Sequence, residues 1–415
     1  MQAYIVGGFV RDLLLQRPSQ DFDVVIEGNA IDFVEHLVRQ FGGRSVSHRR
    51  FGTAKWVLAG QKAEVCERIH PEKPLQAELL PDHLDLITAR TEFYEKPAAL
   101  PVVESSSIKM DLHRRDFTIN TLALRLDGPY FSKLFDFWGG YSDLRNRNIR
   151  VLHALSFVDD ATRILRAVRF ATRFDFKIEP RTLSLLKENL PLLEQISGAR
   201  IKHEFDLILL EPKAIQMFEA LDNLGILKAI HPLLPWDEAA ASRLRLAVST
   251  QALPNQGDEN AQKEQRERKL EGLYGLWLAD LVNGQLAPVA RRLRLSTNQV
   301  RKVIQTGKLL RLLPSLAGAK PSQVVNALDD FQLEVIQNVL GITSSPDQRA
   351  VLENYLNIYR HIKPGVDGND LRRLGLPPSP RYQTLLEALR AAWLDGEVSN
   401  PEGERALLEK LISQK

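Results

Sequence analysis

The chain has 415 residues, 44% of them hydrophobic and 26% charged, and its formal net charge is +3. This length exceeds one ordinary hydrophobic core, so we expect two to four domains in a globular protein of average composition. The single cysteine, Cys66, excludes an internal disulfide framework and a cysteine-based zinc site. No apolar stretch is long enough to span a bilayer, and the first residues lack the features of a signal peptide, so we expect a cytoplasmic protein without a membrane partner.

The first 25 residues carry two motifs that together predict a phosphate and metal site. Tyr4–Asp12 predicts a strand, a turn at Gly7 and Gly8, and the start of a helix. Adjacent glycines let the backbone approach a phosphate, and a helix start offers N–H groups to it. Asp21 and Asp23 follow at i and i+2 of an extended segment, so both carboxylates project from one face and suit Mg²⁺ or Mn²⁺. Each motif alone is more typical of a turn or a solvated strand end, but in this order they favour nucleotidyl transfer.

The segments that follow alternate between predicted strands and helices. Strands are predicted at Val24–Ile26, Ala54–Leu58 and Leu84–Ile87, and a helix at Ala30–Phe41. Asp85, on the third of these strands, would complete a three-carboxylate metal site; a polar strand end is the alternative. Residues 61–82 contain three prolines and are predicted to form an insertion or loop. Residues 89–109 have no clean period, which is typical of a lid or a binding loop.

Beyond about residue 150 the strand pattern ends and only helices are predicted. The chain is therefore expected to have an α+β fold, with an N-terminal α/β head that contains a small mixed sheet and an all-helical remainder. Segment 251–268 is polar and is predicted to be a loop or a helix extension. The predicted helices are Asp159–Phe174, Arg181–Asn189, Ala199–Leu210, Ala214–Leu224, Leu270–Val282, Asn298–Leu312, Pro321–Ala327, Gln348–Ile362, Gly368–Leu374 and Tyr382–Leu394.

The helix predicted from Asp159 carries polar side chains at every third position, namely Asp160, Arg163, Arg166 and Arg169. At about 100° per residue this stripe winds round the helix, so one end can face a base while the other meets phosphates. Cytosine and adenine offer an amino donor beside a ring-nitrogen acceptor, which a carboxylate beside a guanidinium matches; uracil and guanine offer the reverse. Asp160 and Arg163 are therefore candidates for base selection without a template. The alternative is a helix start with first-turn acids and an i, i+3 ion pair.

A second basic segment, His113–Asn120, precedes this helix. Arg114 or Arg115 would hold the triphosphate or the sugar, and Asn120 would contact the 3′-hydroxyl region. The alternative is a helix N-cap at Asp116 followed by a buried helix.

The chain thus carries four motifs in a fixed order. They are Gly7–Asp12 with Asp21–Asp23, Arg114–Asn120, Asp136–Gly140 with Asp143 and Leu144, and Asp160–Phe170 with its three arginines. In this order they resemble the motifs of class II tRNA nucleotidyltransferases, the family of CCA-adding enzymes and bacterial poly(A) polymerases. Ser197–Ile201 with Glu204 is similar to a further motif of that family, and residues 367–396 resemble its tail more loosely. Two features depart from the pattern: Asp159 stands where relatives commonly carry Glu, and residues 61–82 are additional.

The resemblance implies a catalytic nucleotidyltransferase head at residues 1–145, a helical neck for base selection at 146–215, and a helical body and tail that bind tRNA at 216–415. It implies Mg²⁺ on Asp21 and Asp23, and a flexible loop after Arg90 that is linked to the switch from C to A addition. The residues that it places at the nucleotide are Gly8, Arg11, Arg115, Asp160, Arg163, Arg166 and Arg169.

We therefore predict a template-independent enzyme that transfers CMP and AMP from CTP and ATP to the tRNA 3′ acceptor end. In the predicted two-metal mechanism, Asp21 and Asp23 hold Mg²⁺ ions that activate the 3′-hydroxyl and stabilise the pyrophosphate leaving group. An A-adding enzyme and a poly(A) polymerase share this chemistry and stay open as alternatives. A catalytically inactive RNA-binding protein of the same fold is the alternative of a different class, and the sequence predicts no oligomeric state.

Overall fold

The computed structural model describes residues 1–18, 22–72, 76–93, 102–250, 259–282 and 284–413. The chain forms two compact units. Unit 1 comprises Met1–Glu204 with Gln216–Pro232, and unit 2 comprises Phe205–Ile215 with Leu233–Lys415. The predicted functional division at residues 145 and 215 stays a prediction.

Unit 1 is built on a β-sheet. Its strands before residue 140 are β1 (Gln2–Val6), β2 (Asp23–Glu27), β3 (Arg44–His48), β4 (Thr53–Val57), β5 (His83–Thr88), β6 (Arg90–Phe93), β7 (Val102–Ser105), β8 (Ala123–Arg125) and β9 (Leu134–Phe135). Seven of these strands form one sheet in the order β3-β4-β5-β2-β1-β8-β9. Since β2 and β5 run parallel and the other neighbours antiparallel, the predicted mixed sheet is confirmed. β6 and β7 pair separately as an antiparallel hairpin.

Five helices accompany these strands: α1 (Gly8–Leu14), α2 (Ala30–Phe41), α3 (Lys62–Ile69), α4 (Ile108–His113) and α5 (Gly140–Arg145). α2 has the predicted bounds because both of its ends are specified locally. At its start, Oδ1 of Asn29 accepts hydrogen bonds from the N–H groups of Ile31 and Asp32. At its end, Gly42 adopts a positive φ of 88° that stops the helix.

The two faces of the sheet differ in character. On one face, Val24 and Ile26 of β2 pack with Val34 of α2 in an apolar core. The register of the parallel pair places Asp23 of β2 beside Asp85 of β5. Because side chains alternate along a strand, these two carboxylates share the face opposite that core. The fold therefore presents two of the predicted site carboxylates on one surface.

The head contains several elements that the sequence did not predict. Residues 61–82 contain α3 and a 3₁₀ turn at Ala77–Leu79 rather than only a loop, because the prolines of this segment lie outside α3. β3 has no predicted counterpart, since all five of its side chains are exposed and no apolar face marks it. Residues 89–109, which have no clean period in the sequence, include β6 and β7; the segment 94–101 between them lies outside the described residues, and the lid or binding loop stays a prediction.

The rest of unit 1 is mainly helical. Its elements and those that lead to residue 232 are β10 (Asn148–Ile149), α6 (Ser156–Asp159), α7 (Thr162–Phe174), β11 (Lys177–Ile178), α8 (Pro180–Glu188), α9 (Gly198–Leu209), α10 (Ala214–Asn223) and α11 (Ile226–Ile230). β10 and β11 form a short parallel pair, so strands do not end completely at residue 150. The helix predicted over Asp159–Phe174 is two helices, because Asp160 has an extended backbone (φ −148°, ψ 101°).

Unit 2 is helical throughout its described residues, which confirms the predicted all-helical remainder. Its helices are α12 (Glu238–Thr250), α13 (Glu259–Trp277), α14 (Leu286–Leu293), α15 (Thr297–Leu316), α16 (Pro321–Leu328), α17 (Leu333–Ile342), α18 (Pro346–Asn357), α19 (Gly368–Arg373), α20 (Arg381–Leu394) and α21 (Pro401–Ser413). α12, α14, α17 and α21 have no predicted counterpart, and α13 makes residues 259–268 helical. The rest of the predicted 251–268 segment, residues 251–258, lies outside the described residues.

Unit 2 has an apolar core in which Leu309 and Leu313 of α15 pack with Val339 of α17 and Leu352 of α18. None of the described helices combines the length and the apolar character that crossing a bilayer requires. The cytoplasmic location stays a prediction.

Candidate active site

Unit 1 contains a cavity of about 810 Å³. Its walls come from α1, the start of β2, the segment 114–120, α7 and the first turns of α9. Eight arginines and four carboxylates line it, so the cavity is suited to a polyanion. The predicted site residues among the lining are Gly8, Arg11, Asp23, Arg115, Asn120, Asp160, Arg163, Arg166 and Arg169.

Gly7 and Gly8 place the backbone close to one of these arginines. Gly7 has a positive φ of 69°, and its N–H donates to the carbonyl of Leu122 at 3.0 Å. A Cβ added at Gly7 would overlap the guanidinium of Arg115, whereas one at Gly8 would meet no atom closer than 3.5 Å. Nε of Arg115 is buried and has no hydrogen-bond partner among the described residues. A buried donor without a partner beside an open backbone turn suits a phosphate.

Asp111, which the sequence analysis did not identify, orients two arginines of the cavity. Its side chain is fully buried, and its Oδ1 accepts from Nη2 (2.9 Å) and Nε (3.1 Å) of Arg114. Nη2 of Arg115 lies 3.4 Å from Oδ2 of the same carboxylate. In the sequence, Asp111 stands three residues before Arg114 and four before Arg115, which is the spacing of ion pairs on a helix.

The side chains of Arg11 and Asn120 form hydrogen bonds with other residues of the protein. Nε and Nη2 of Arg11 each donate to Asp12 at 2.8 Å, and Nη1 donates to Oδ1 of Asn120 at 2.6 Å. The guanidinium also lies 4.6 Å from the ring centroid of Phe174. Arg11 is therefore buried at the cavity wall as a fixed element that links α1 to the segment containing Asn120.

Asp116 is the centre of a buried network. It accepts hydrogen bonds from the Phe117 N–H (2.8 Å), Nδ2 of Asn120 (2.8 Å), and Nε (2.9 Å) and Nη2 (2.6 Å) of Arg166. Burial alone would raise the pKa of the Asp116 carboxyl, but the Arg166 guanidinium and the Asn120 amide hold that pKa below its ordinary value. The sequence offered an N-cap at Asp116 followed by a buried helix as the alternative. The structure has only a buried 3₁₀ turn there, Thr118–Asn120.

The network continues from Arg166 to α9. Although burial opposes its charge, Asp116 and Glu204 raise the pKa of the Arg166 guanidinium above its ordinary value. Nη1 of Arg166 lies 3.6 Å from Oε1 of the buried Glu204, and Nη2 of Arg169 lies 3.4 Å from its Oε2. Glu204 therefore holds two of the three arginines that the sequence predicts on α7.

Asp160 and Arg163 have separate partners, so the alternative i, i+3 ion pair between them is not formed. Asp160 pairs with Arg200 at 2.7 Å. Arg163 donates through Nη1 to the carbonyl of Ser156 (3.3 Å) and through Nη2 to the carbonyl of Arg114 (2.7 Å). Both residues line the cavity, so its wall contains a carboxylate and a guanidinium that are not paired with each other.

The predicted metal ligands are only partly within the described chain. Asp23 lines the cavity, whereas Asp21 lies outside the described residues. Asp85 is beside Asp23 but not in the cavity lining; its Oδ1 lies 3.2 Å from Nζ of Lys55 and its Oδ2 lies 3.4 Å from Nε2 of His83. No group of three or more His, Cys, Asp or Glu within the described ranges could hold a metal ion. The carboxylate oxygens of Asp23 at the cavity edge nonetheless suit Mg²⁺ or Mn²⁺.

Other residues complete the cavity without having been assigned to it from the sequence. Arg200 and Glu204 belong to a motif noted by resemblance, where they stand one helical turn apart. Thr162, Arg173 and His203 have no distinguishing signal in the sequence. All five residues line the cavity.

The mixed sheet and the arginine-lined cavity of unit 1 give a fold and a site suited to a nucleoside triphosphate. Residues 3–150 match the family described as Poly A polymerase head domain, and residues 175–237 match the one described as Probable RNA and SrmB- binding site of polymerase A. The chain belongs to the family of tRNA nucleotidyltransferases and poly(A) polymerases.

Three similar proteins illustrate this relationship. An A-adding tRNA nucleotidyltransferase of Geobacter sulfurreducens is 34% identical over 99% of this chain, which spans less than half (45%) of that relative's length. An A-adding tRNA nucleotidyltransferase of Halalkalibacterium halodurans is 30% identical over 100% of this chain and 90% of its own. The solved structure of a CCA-adding enzyme in an apo form matches with a TM-score of 0.78 and 32% identity, covering 100% of this chain and 92% of the other.

Proposed function

We propose that this protein is a template-independent nucleotidyltransferase that adds CMP and AMP from CTP and ATP to the tRNA 3′ end. The observation that carries this proposal is the cavity of unit 1, which Asp23 and Asp160 line together with eight arginines, one of them Arg163. Solved CCA-adding enzymes that are 29–30% identical to this chain and carry ATP, CTP or tRNA support the same substrates.

Arg115 and the backbone at Gly8 would bind the triphosphate. Asp111 aims the Arg115 guanidinium from behind, so this cation is fixed before a nucleotide arrives. Asp21 and Asp23 would hold Mg²⁺, which supplies activation of the attacking 3′-hydroxyl and neutralises charge on the pyrophosphate. The buried network of Arg166 keeps the opposite wall rigid, which holds the reacting groups in register.

Base selection would belong to the start of α7. The Asp160 carboxylate would accept the amino group of cytosine or adenine, and Arg163 would donate to the adjacent ring nitrogen. Uracil and guanine would leave both charges without their partners, which costs binding free energy. The same pair accepts both C and A, so it does not by itself separate full CCA addition from A addition.

An A-adding enzyme is the second candidate. It is favoured by the two relatives from Geobacter sulfurreducens and Halalkalibacterium halodurans, both named A-adding tRNA nucleotidyltransferases. In either case the body and tail, residues 216–415, would bind tRNA mainly through phosphate contacts, giving an affinity that falls with salt. A poly(A) polymerase remains the third outcome of the experiment below.

The test is to incubate the purified protein with Mg²⁺ and labelled CTP or ATP, and to measure the transfer of CMP or AMP to tRNA. Three tRNAs are compared, which end before CCA, after CC and after CCA. Full CCA addition predicts CMP incorporation on the first tRNA and AMP on the second. An A-adding enzyme extends only the CC-ending tRNA, and a poly(A) polymerase adds AMP to all three. If no tRNA is extended but tRNA still binds, the protein is an inactive RNA-binding relative and the proposal is wrong.

A further inference from the structure

The carboxylate of Asp160 is held through one of its oxygens only. Oδ1 accepts hydrogen bonds from the N–H of Thr162 at 2.9 Å and from its hydroxyl at 2.7 Å. Nη2 of Arg200 lies 2.7 Å from the same Oδ1 and also donates to the Thr162 hydroxyl oxygen at 3.4 Å. Oδ2 has no such contact with any described residue. Oδ1 is therefore occupied by two hydrogen bonds and one ion-pair contact, and Oδ2 remains an acceptor.

The neighbouring guanidinium of Arg163 is fixed in a comparable way. Two of its N–H groups are used by the carbonyls of Ser156 and Arg114, and a guanidinium carries five. Three donors of Arg163 therefore remain, in a cavity wall that Asp160 also lines. Polar groups that are already oriented in the free protein discriminate better than groups that must reorganise on binding.

We propose that Arg200 is a positioning residue for base selection, which fixes Asp160 so that Oδ2 alone is left to accept the amino group of cytosine or adenine. This inference rests on the proposed function, which assigns Asp160 to the base. Thr162 supports the same orientation from the start of α7. Without Arg200, Oδ1 keeps only its two hydrogen bonds from Thr162, so the plane of the carboxylate is held less firmly about the Cβ–Cγ bond and Oδ2 is directed less well at the nucleotide.

A role in stability alone explains the position of Arg200 poorly. Its side chain is 38% exposed, and ion pairs with this exposure contribute little to stability. It stands in the first turn of α9 and reaches across the cavity wall to a residue just before α7. The contact between Arg200 and Asp160 therefore contributes little to the stability of the fold, but it fixes the direction of the Asp160 carboxylate.

A double-mutant cycle tests this role. Arg200→Gln, Asp160→Ala and the double variant are compared with the wild type for kcat/KM with CTP and ATP against UTP and GTP on a tRNA primer. In the wild-type background, Arg200→Gln should lower the selectivity about tenfold, mainly through KM, without moving the unfolding midpoint. In the Asp160→Ala background the same change should have no further effect on selectivity. Arg200→Lys should restore part of it, because the ammonium keeps one charged donor.

The matched control is Arg68→Gln on α3, where the arginine pairs with Glu64 and is 46% exposed. This variant should keep the wild-type selectivity. The inference is overturned if Arg200→Gln remains as selective as the wild type. It is also overturned if the loss is equally large in the Asp160→Ala background, since Arg200 would then contact the nucleotide or RNA itself. Failure of the proposed function is seen separately, as a wild-type protein that transfers no nucleotide.

Discussion

Replacement of Asp116 by asparagine should lower the free energy of unfolding of unit 1. The carboxylate is buried, and asparagine has no charge and only one acceptor oxygen. It therefore cannot accept both the Arg166 hydrogen bonds of 2.6 and 2.9 Å and those from the Phe117 N–H and the Asn120 amide. Breaking a buried ion pair by removing one partner costs about 3–5 kcal/mol. Because the Arg166 side chain is 33% exposed and keeps Glu204 at 3.6 Å, we expect a smaller loss of about 2–3 kcal/mol.

Urea unfolding at neutral pH, followed by far-ultraviolet circular dichroism and tryptophan fluorescence, measures this loss. The control is Glu64→Gln, which breaks the ion pair with Arg68 on the surface of α3, where both side chains are nearly half exposed. The control should lose no more than about 0.5 kcal/mol. If Asp116→Asn and Glu64→Gln shifted the unfolding midpoint equally, the buried network would not hold the cavity wall together.

The difference between the wild type and Asp116→Asn should also depend on pH. The folded protein holds the pKa of the Asp116 carboxyl below its ordinary value of about 4. The stabilisation is therefore fully present above that value and is lost as the pH falls towards the folded-state pKa. The two unfolding free energies should differ most at pH 6–7 (about 2–3 kcal/mol) and converge below about pH 4. A difference that grew on acidification would contradict the direction of this shift.

Three further substitutions test separate parts of the site. Gly7→Ala should cost about 1–3 kcal/mol in unfolding free energy and raise the KM for nucleotides, because Gly7 has a positive φ and a Cβ there overlaps Arg115; an unchanged KM would contradict this. Arg163→Ala should reduce discrimination against UTP and GTP by about tenfold or more in competition assays, and undiminished selectivity would refute its role. Asp21→Ala should reduce transfer to background while tRNA binding in gel-shift assays persists, and wild-type turnover would exclude Asp21 as a metal ligand.

Elements with complete local signals could be predicted from the sequence. α2 combines an apolar stripe with Asn29 at its start and Gly42 at its end, and its bounds agree with the prediction. β3 could not be predicted because all five of its side chains are exposed, and it joins the sheet through backbone pairing with β4. The end of the preceding helix at Asp160 could not be predicted either, because the spacing of polar residues typical of a helix continues through Asp160 although its backbone is extended.

The sequence predicted which residues line the cavity better than it predicted which residues they pair with. Spacing placed Arg163 and Arg166 near a nucleotide, and both line the cavity. Their partners could not be derived, because the pairing of Arg166 with Asp116 joins residues 50 positions apart. The pairing of Asp160 with Arg200 likewise depends on how α9 packs, which no local pattern encodes. Long-range ion pairs follow from the fold and not from periodicity.

The most direct test of the account is a crystal structure of the protein soaked with Mg²⁺ and a non-hydrolysable CTP analogue. We predict the nucleotide in the cavity of unit 1, with its base against Asp160 and Arg163, its triphosphate at Arg115, and an ion on Asp21 and Asp23. A well-ordered nucleotide bound elsewhere, or a cavity that stays empty at saturating concentrations, would contradict the account.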